Sequence, residues 1–326
     1  MLRVGLNPYG LTWVLGLQGR GTPRQNPNGR GLEGFLAIAE ELGAKVLEIY
    51  DPWLAALSDD ALARLRDRLE ARDMVPVVSS GIGMMGPLES ALRSARLLGA
   101  TTIRLGLSTV LCGDRAALGD DWLPLVARIR AVLAEWGPRL DDLGCRFAIE
   151  NHQDFTSAEL VAFCEETRGV GITFDTGNAF PVGEAPLDFA RAIASHVRHV
   201  HLKDYRVQFT AEGFRLVRCA IGDGAVPFAE LLPILSAQHP ELTAVLEPGA
   251  LEARHVRLFT PGWWQLYPPK PAPALAACLL AAQRNRLPDD ADWRTPWERG
   301  ADHELEAYEL GMIRRSAAAM RSLGIM

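Results

Sequence analysis

Apolar residues in this chain gather in short continuous runs, and each run is followed by a longer stretch with helical spacing. The runs lie at 2–6, 46–50, 75–79, 102–107, 146–150, 170–175, 197–202 and 243–247. Continuous Val, Ile and Leu predict parallel strands covered on both faces, because a strand with one wet face alternates instead. The segment 58–73 typifies the stretches between them: Leu62, Leu65 and Leu69 recur at helical spacing behind Ser58-Asp59-Asp60, a start suited to an N-cap. Eight βα units within about 250 residues predict an α/β fold, a closed (β/α)8 TIM barrel. An open doubly wound sheet fits less well, since the first βα turn lacks a GxGxxG fingerprint.

Three segments exceed what a minimal barrel needs. The stretch 7–30, rich in Gly, Pro, Asn and Arg, is a long first βα loop and a candidate lid. Residues 204–226 contain two strand-like pieces, 207–210 and 214–219, that predict a hairpin around Ala211-Glu212-Gly213. The third is a C-terminal extension. We expect the barrel to occupy 1–255 and the extension 256–326, within one domain. A Trp- and Pro-rich arm (Trp263, Trp264, Pro268, Pro269, Pro271, Pro273) precedes a predicted helix at 274–286 and a final one at 302–323. In that last helix Leu305, Tyr308, Met312, Met320 and Leu323 form one stripe. Which helix completes the barrel is left open by the pattern.

Composition narrows the function classes. Apolar residues make up 48% of the 326 and charged residues 23%, the balance of a globular protein with a large core. A net charge of −6 provides no electrostatic footprint for nucleic acid, whose binding depends on Lys and Arg displacing counterions. No apolar run approaches the roughly 18 residues of a membrane span, and nothing resembles a signal peptide. The five cysteines are scattered with no CxxC pair, against a disulfide framework or zinc knot. These features lead us to expect a cytoplasmic protein with a small-molecule substrate, no nucleic-acid or membrane partner, and an arm long enough for two copies to pair as a homo-oligomer.

Barrel enzymes carry their chemistry at the C-terminal ends of the strands. Glu150 ends the fifth run, Asp175 the sixth and Glu247 the eighth, while His199-Val200-His201 lies within the seventh. One such carboxylate alone is ordinarily a solvated loop residue or a helix cap. Three of them converging on one barrel mouth would repel one another unless a cation offset their charge. Three carboxylates and an imidazole suit a hard divalent ion: Mn²⁺ first, with Mg²⁺, Co²⁺ or Zn²⁺ as alternatives.

The set Glu150-Asn151-His152, Phe174-Asp175-Thr176-Gly177-Asn178, His199-Val200-His201-Leu202-Lys203-Asp204, Gly222-Asp223-Gly224 and Leu246-Glu247-Pro248-Gly249 resembles the xylose isomerase-like superfamily of sugar isomerases and epimerases across essentially residues 1–250. The resemblance implies a metal held by Glu150, Asp175, His201 and Glu247, with the two glutamates doubling as proton-transfer groups. It implies a sugar or keto-sugar isomerase or epimerase that moves a proton through a metal-stabilised enediolate. The alternative is a lyase, a dehydratase or decarboxylase of a keto-sugar, inosose or keto-acid, because the same enediolate can expel water or lose CO₂. Many relatives have a histidine where this chain has Asn178, which removes an imidazole proton carrier. The DNA-repair endonucleases of the superfamily need more histidines and an aspartate than this chain supplies.

Further substrate contacts are expected from residues near the predicted mouth. Asn7, Trp13 and Trp53 fall in or beside the first two βα loops, where an aromatic face can pack on a sugar ring, although burial is the ordinary fate of tryptophan. His152 shares strand parity with Glu150 and, with Asn178 and Lys203, is a candidate substrate contact. Lys203 and Asp204 can equally form a local ion pair. Arg218 is the candidate anion grip on the hairpin, where arginines are commonly just solvated. His199 shares the parity of His201 and is equally a packed supporting residue or a substrate contact, outside the ligand set, and Gly222-Asp223-Gly224 is assigned to a turn.

Overall fold

The computed structural model describes residues 2–82, 87–239, 242–249 and 251–326. Eight parallel strands close into a barrel: β1 (Arg3–Leu6), β2 (Val46–Tyr50), β3 (Val75–Gly81), β4 (Thr102–Gly106), β5 (Arg146–Glu150), β6 (Val170–Asp175), β7 (Val197–Leu202) and, after a hairpin, β10 (Thr243–Leu246). The predicted runs thus become the barrel strands, with ends shifted by two residues at most. Gly5 permits the tight β1–β2 seam, since a Cβ there would lie 1.6 Å from the Val46 carbonyl oxygen.

Local signals set the helix boundaries. Ser58 caps Asp59–Glu70 by accepting the Ala61 N–H, and Thr156 with Glu159 forms a capping box on Ser157–Glu166. Most of the core lies between barrel and helices. Inside the barrel, Val46, Val77 and Val245 form a separate apolar cluster, with Glu48 of β2 in register beside Val77 and His201 of β7 beside Val245.

The hairpin forms as expected: β8 (Tyr205–Thr210) pairs with β9 (Gly213–Arg218) around Ala211-Glu212. A strand absent from the sequence reading, β11 (Arg254–Val256), joins its far edge. The Gly222-Asp223-Gly224 turn is organised by Asp204, whose buried carboxylate accepts N–H groups from Tyr205, Gly222, Gly224 and Val226.

The start of the first loop departs from the lid expectation, whereas residues 20–30 are largely exposed. Leu11, Val14 and Leu15 are buried, and Glu309 of the last helix accepts the Trp13 and Val14 N–H groups at 3.1 and 2.9 Å. A segment buried and fastened in this way is a wall. The helices after the arm are Ala272–Ala282 and Leu305–Ser322. The second supplies the eighth barrel helix: it packs on β10 and reaches the first helix (Gly31–Leu42) through Arg314–Glu41 and Arg321 to the Leu42 carbonyl. Its buried stripe runs through Leu305, Glu309, Met312, Ile313, Ala317 and Met320, so Leu323, placed in the stripe by spacing, is instead 42% exposed beyond the helix end.

The arm packs on the barrel. Trp263 and Tyr267 donate to the carbonyls of Cys112 and Gly113, and fully buried Arg115 pairs with Glu159 while donating to the Leu266 carbonyl. All five cysteines are free. Among the described residues no helix is long and apolar enough to cross a membrane.

Candidate metal centre

Glu150 and Asp175 are the last residues of β5 and β6, His201 is the penultimate residue of β7, and Glu247 follows β10 directly. In-register pairing sets Asp175 beside His201, so the shared strand parity points these side chains into the barrel together. One potential ligand atom from each of the four lies within 4.8 Å of the others, and all four residues are buried.

Each glutamate engages a fixed cation with one oxygen and turns the other toward His201. Glu150 Oε2 pairs with Arg104 and its Oε1 lies 3.2 Å from His201 Nδ1. Glu247 Oε1 is 2.7 Å from Lys203 Nζ, and its Oε2 is 2.6 Å from His201 Nδ1 yet, among the described residues, makes no well-directed hydrogen bond. Lys203 also pairs with Asp175, whose other oxygen accepts the N–H groups of Gly177 and Asn178.

Beneath this layer stands Glu48 of β2. Its Oε2 lies 2.5 Å from His201 Nε2 and 3.1 Å from His199 Nε2, and its Oε1 accepts from Asn7 Nδ2. His199 Nδ1 meets Thr243 Oγ1 at 2.7 Å, so both ring nitrogens are engaged below the four residues. With Nε2–H directed at Glu48, His201 presents Nδ1 to the converging carboxylates, the orientation in which a carboxylate positions an imidazole for a metal.

The charges of the site can be counted. Four buried carboxylates, Glu48, Glu150, Asp175 and Glu247, face two permanent cations, Arg104 and Lys203. With His201 neutral and all four carboxylates ionised, the set carries two net negative charges, which one divalent ion would balance. Burial pushes the Asp175 carboxyl up to about 7 despite Lys203, with Glu247 and Glu150 adding to the rise. Burial disfavours charge on His201 too, but Glu48, Glu247 and Glu150 outweigh it and hold the ring well above its ordinary value. Burial likewise raises Glu150 and Glu247, and the cations beside them more than reverse it, so both stay ionised below the usual range. The oxygen-rich donors, the orphaned Glu247 Oε2 and the charge deficit all fit a divalent cation.

Above the four lies a cavity of about 240 Å³ lined by Tyr9, Thr12, Arg104, Leu111, His152, Gln153, Lys203, Tyr205, Glu247 and Arg254. Burial lowers the His152 imidazole to about 4, and among the described residues its Nδ1 has no partner. Of the expected substrate contacts, His152 and Lys203 line this cavity. Asn178 stands behind Gln153, which donates to its Oδ1 at 3.3 Å, and Asn7 lies below, engaged by Glu48. The other three are elsewhere. Trp53 packs on Phe35 and Tyr50, Trp13 on Trp297, and Arg218 on Met312 and the Gly10 carbonyl in a separate cleft. Glu48, Arg104 and Arg254 were missed from sequence. A lone charge inside an apolar strand run was the available signal for Glu48 and Arg104; nothing local marked Arg254.

A model of the family described as xylose isomerase-like TIM barrel matches residues 36–257. The chain belongs to this family. Among relatives of this xylose isomerase-like protein, the uncharacterized protein YihM of Escherichia coli (strain K12) is 32% identical over 129 residues, 38% of this chain and 39% of that one. The 3-oxo-isoapionate decarboxylase of Pectobacterium atrosepticum is 25% identical over 253 residues, 76% of this chain and 85% of that protein. Among solved structures, a D-psicose 3-epimerase from Clostridium cellulolyticum H10, crystallised with D-tagatose, superposes with a TM-score of 0.57 at 16% identity, covering 90% of this chain and 93% of the other. At that identity the likeness concerns the fold.

Proposed function

We propose that this xylose isomerase-like protein is a divalent-metal-dependent isomerase or epimerase of a small sugar or keto-sugar, with Mn²⁺ as the preferred ion. The observation that carries this reading is the approach of Glu150 and Glu247 from different strands to one point beside His201 Nδ1. A divalent ion held by Glu150, Asp175, His201 and Glu247 would supply the positive charge that makes a proton beside a carbonyl removable. One glutamate takes that proton and the other returns one, from the opposite face for epimerisation or at the neighbouring carbon for isomerisation. His152, neutral and with a free Nδ1, orients a substrate hydroxyl, and Lys203 keeps Glu247 ionised between turnovers.

A lyase reading has its own support. Lys203 and Arg104 clamp both glutamates in their ionised forms, which weakens each as a base, and Asn178 supplies no imidazole. A bond-breaking reaction makes less demand on a second base, and Lys203 supplies a fixed positive charge beside the developing anion. The similarity to a decarboxylase runs in the same direction. Incubating the Mn²⁺-loaded protein with ketoses and keto-acids in D₂O separates the two. Deuterium at carbon with no other change in mass is expected of an isomerase or epimerase, and loss of water or CO₂ would replace that reading with the lyase.

A further inference from the structure

Three permanent cations line the barrel mouth, and they differ in what they face. Arg104 is engaged by Glu150, and Lys203 by Asp175 and Glu247. Arg254 is half-buried and, among the described residues, has no carboxylate within ion-pair distance and no side-chain hydrogen bond. Its neighbours along β11 behave differently: His255 and Arg257 lie 3.9 and 3.6 Å from Glu212 on the hairpin. Alternation along the strand turns Arg254 to the opposite side, into the cavity that holds Tyr9, His152 and Tyr205.

The backbone beneath Arg254 is anchored. Arg254 is in register with Leu216 of β9, and the preceding Ala253 N–H donates to Glu298 at 3.1 Å. A guanidinium partly withdrawn from water without a counter-charge is costly, and its planar fork matches a carboxylate. Once a divalent ion balances the carboxylates below, Arg254 is the positive charge left over at the mouth.

We propose that Arg254 determines specificity for an anionic substrate: it grips the carboxylate of a sugar acid or keto-acid whose other end reaches the four-residue centre. This rests on the mouth being the substrate site of a metal enzyme, as in the proposed function. A single arginine at a cavity of about 240 Å³ suits a carboxylate better than a phosphate, which commonly gathers several donors.

Calorimetric titration of the Mn²⁺-loaded protein with D-gluconate and D-glucitol, which differ in a carboxylate against a hydroxymethyl group, tests it. The wild type should bind gluconate at least about tenfold more tightly, Arg254→Gln should erase most of that preference, and Arg254→Lys should retain part of it. Mn²⁺ affinity should be equal in all three. No preference in the wild type, or a preference undiminished in Arg254→Gln, would overturn the proposal, and tighter binding of D-glucitol 6-phosphate would overturn the choice of carboxylate. Failure of the wild type to bind Mn²⁺ would instead remove the proposed function itself.

Discussion

Glu48 and His201 meet across the barrel interior, carboxylate oxygen to imidazole Nε2 at 2.5 Å, from strands separated by more than 150 residues of chain. The contact sets which ring nitrogen faces the four-residue centre.

If that contact positions His201, its loss should weaken the metal site without deleting a ligand. Glu48→Ala should lower Mn²⁺ affinity by about 10- to 100-fold. Glu48→Gln, which can still accept the Nε2–H, should lose less. Calorimetric titration checks both, and unchanged affinity in Glu48→Ala would deny Glu48 this role.

Metal binding should release protons. Asp175, near 7, and His201, held well above its ordinary value, both carry protons at neutral pH, and both must lose them to act as ligands. Affinity should therefore fall as pH drops through about 7. Calorimetry at pH 7 in buffers of different ionisation enthalpy should report roughly one to two protons released per ion. A buffer-independent enthalpy would contradict the charge assignment.

Glu150→Gln or Glu247→Gln should each lower turnover by at least about a hundredfold, because both a ligand charge and a proton-transfer group are lost. Steady-state rates on the substrate found in the D₂O screen provide the measurement. Near-wild-type turnover in both variants would rule out their catalytic role.

Asp51 is fully buried, neither of its oxygens has a partner among the described residues, and burial alone lifts its carboxyl to about 6. A raised carboxyl favours the fold in its neutral form, so the contribution is complete below the unfolded value of about 3.9 and is lost as pH rises through about 6. Asp51→Asn should stabilise the protein at about pH 8 by on the order of 1–3 kcal/mol and change little near pH 4. Melting curves at the two pH values test the sign.

Arg115 joins arm to barrel. It is fully buried, pairs with Glu159, donates to the carbonyls of Asp154 and Leu266 and lies 3.9 Å from the Tyr267 ring centre. Arg115→Met should cost roughly 3 kcal/mol by leaving those acceptors unpaired. Arg299→Met, which breaks an exposed pair with Glu304, should cost less than about 1 kcal/mol. Urea midpoints that failed to differ would refute the tether.

By itself, the sequence determined the strands, their alternation with helices and the four residues around the proposed ion. These follow from local rules: strand periodicity decides which side chains face inward, and a strand's last residue must open at the barrel mouth. Tertiary structure alone decided what surrounds them. Glu48 and Arg104 acquire meaning only when closure of the barrel brings β2 and β4 within reach of β7 and β5, and Arg254 only when β11 pairs with the hairpin. The start of the first loop became a wall because Glu309, nearly 300 residues away, binds its backbone, and packing on Trp297, Phe35 and Met312 took Trp13, Trp53 and Arg218 away from the mouth. Periodicity sets the face a residue presents; its partner depends on contacts remote in sequence, which leave no periodic trace.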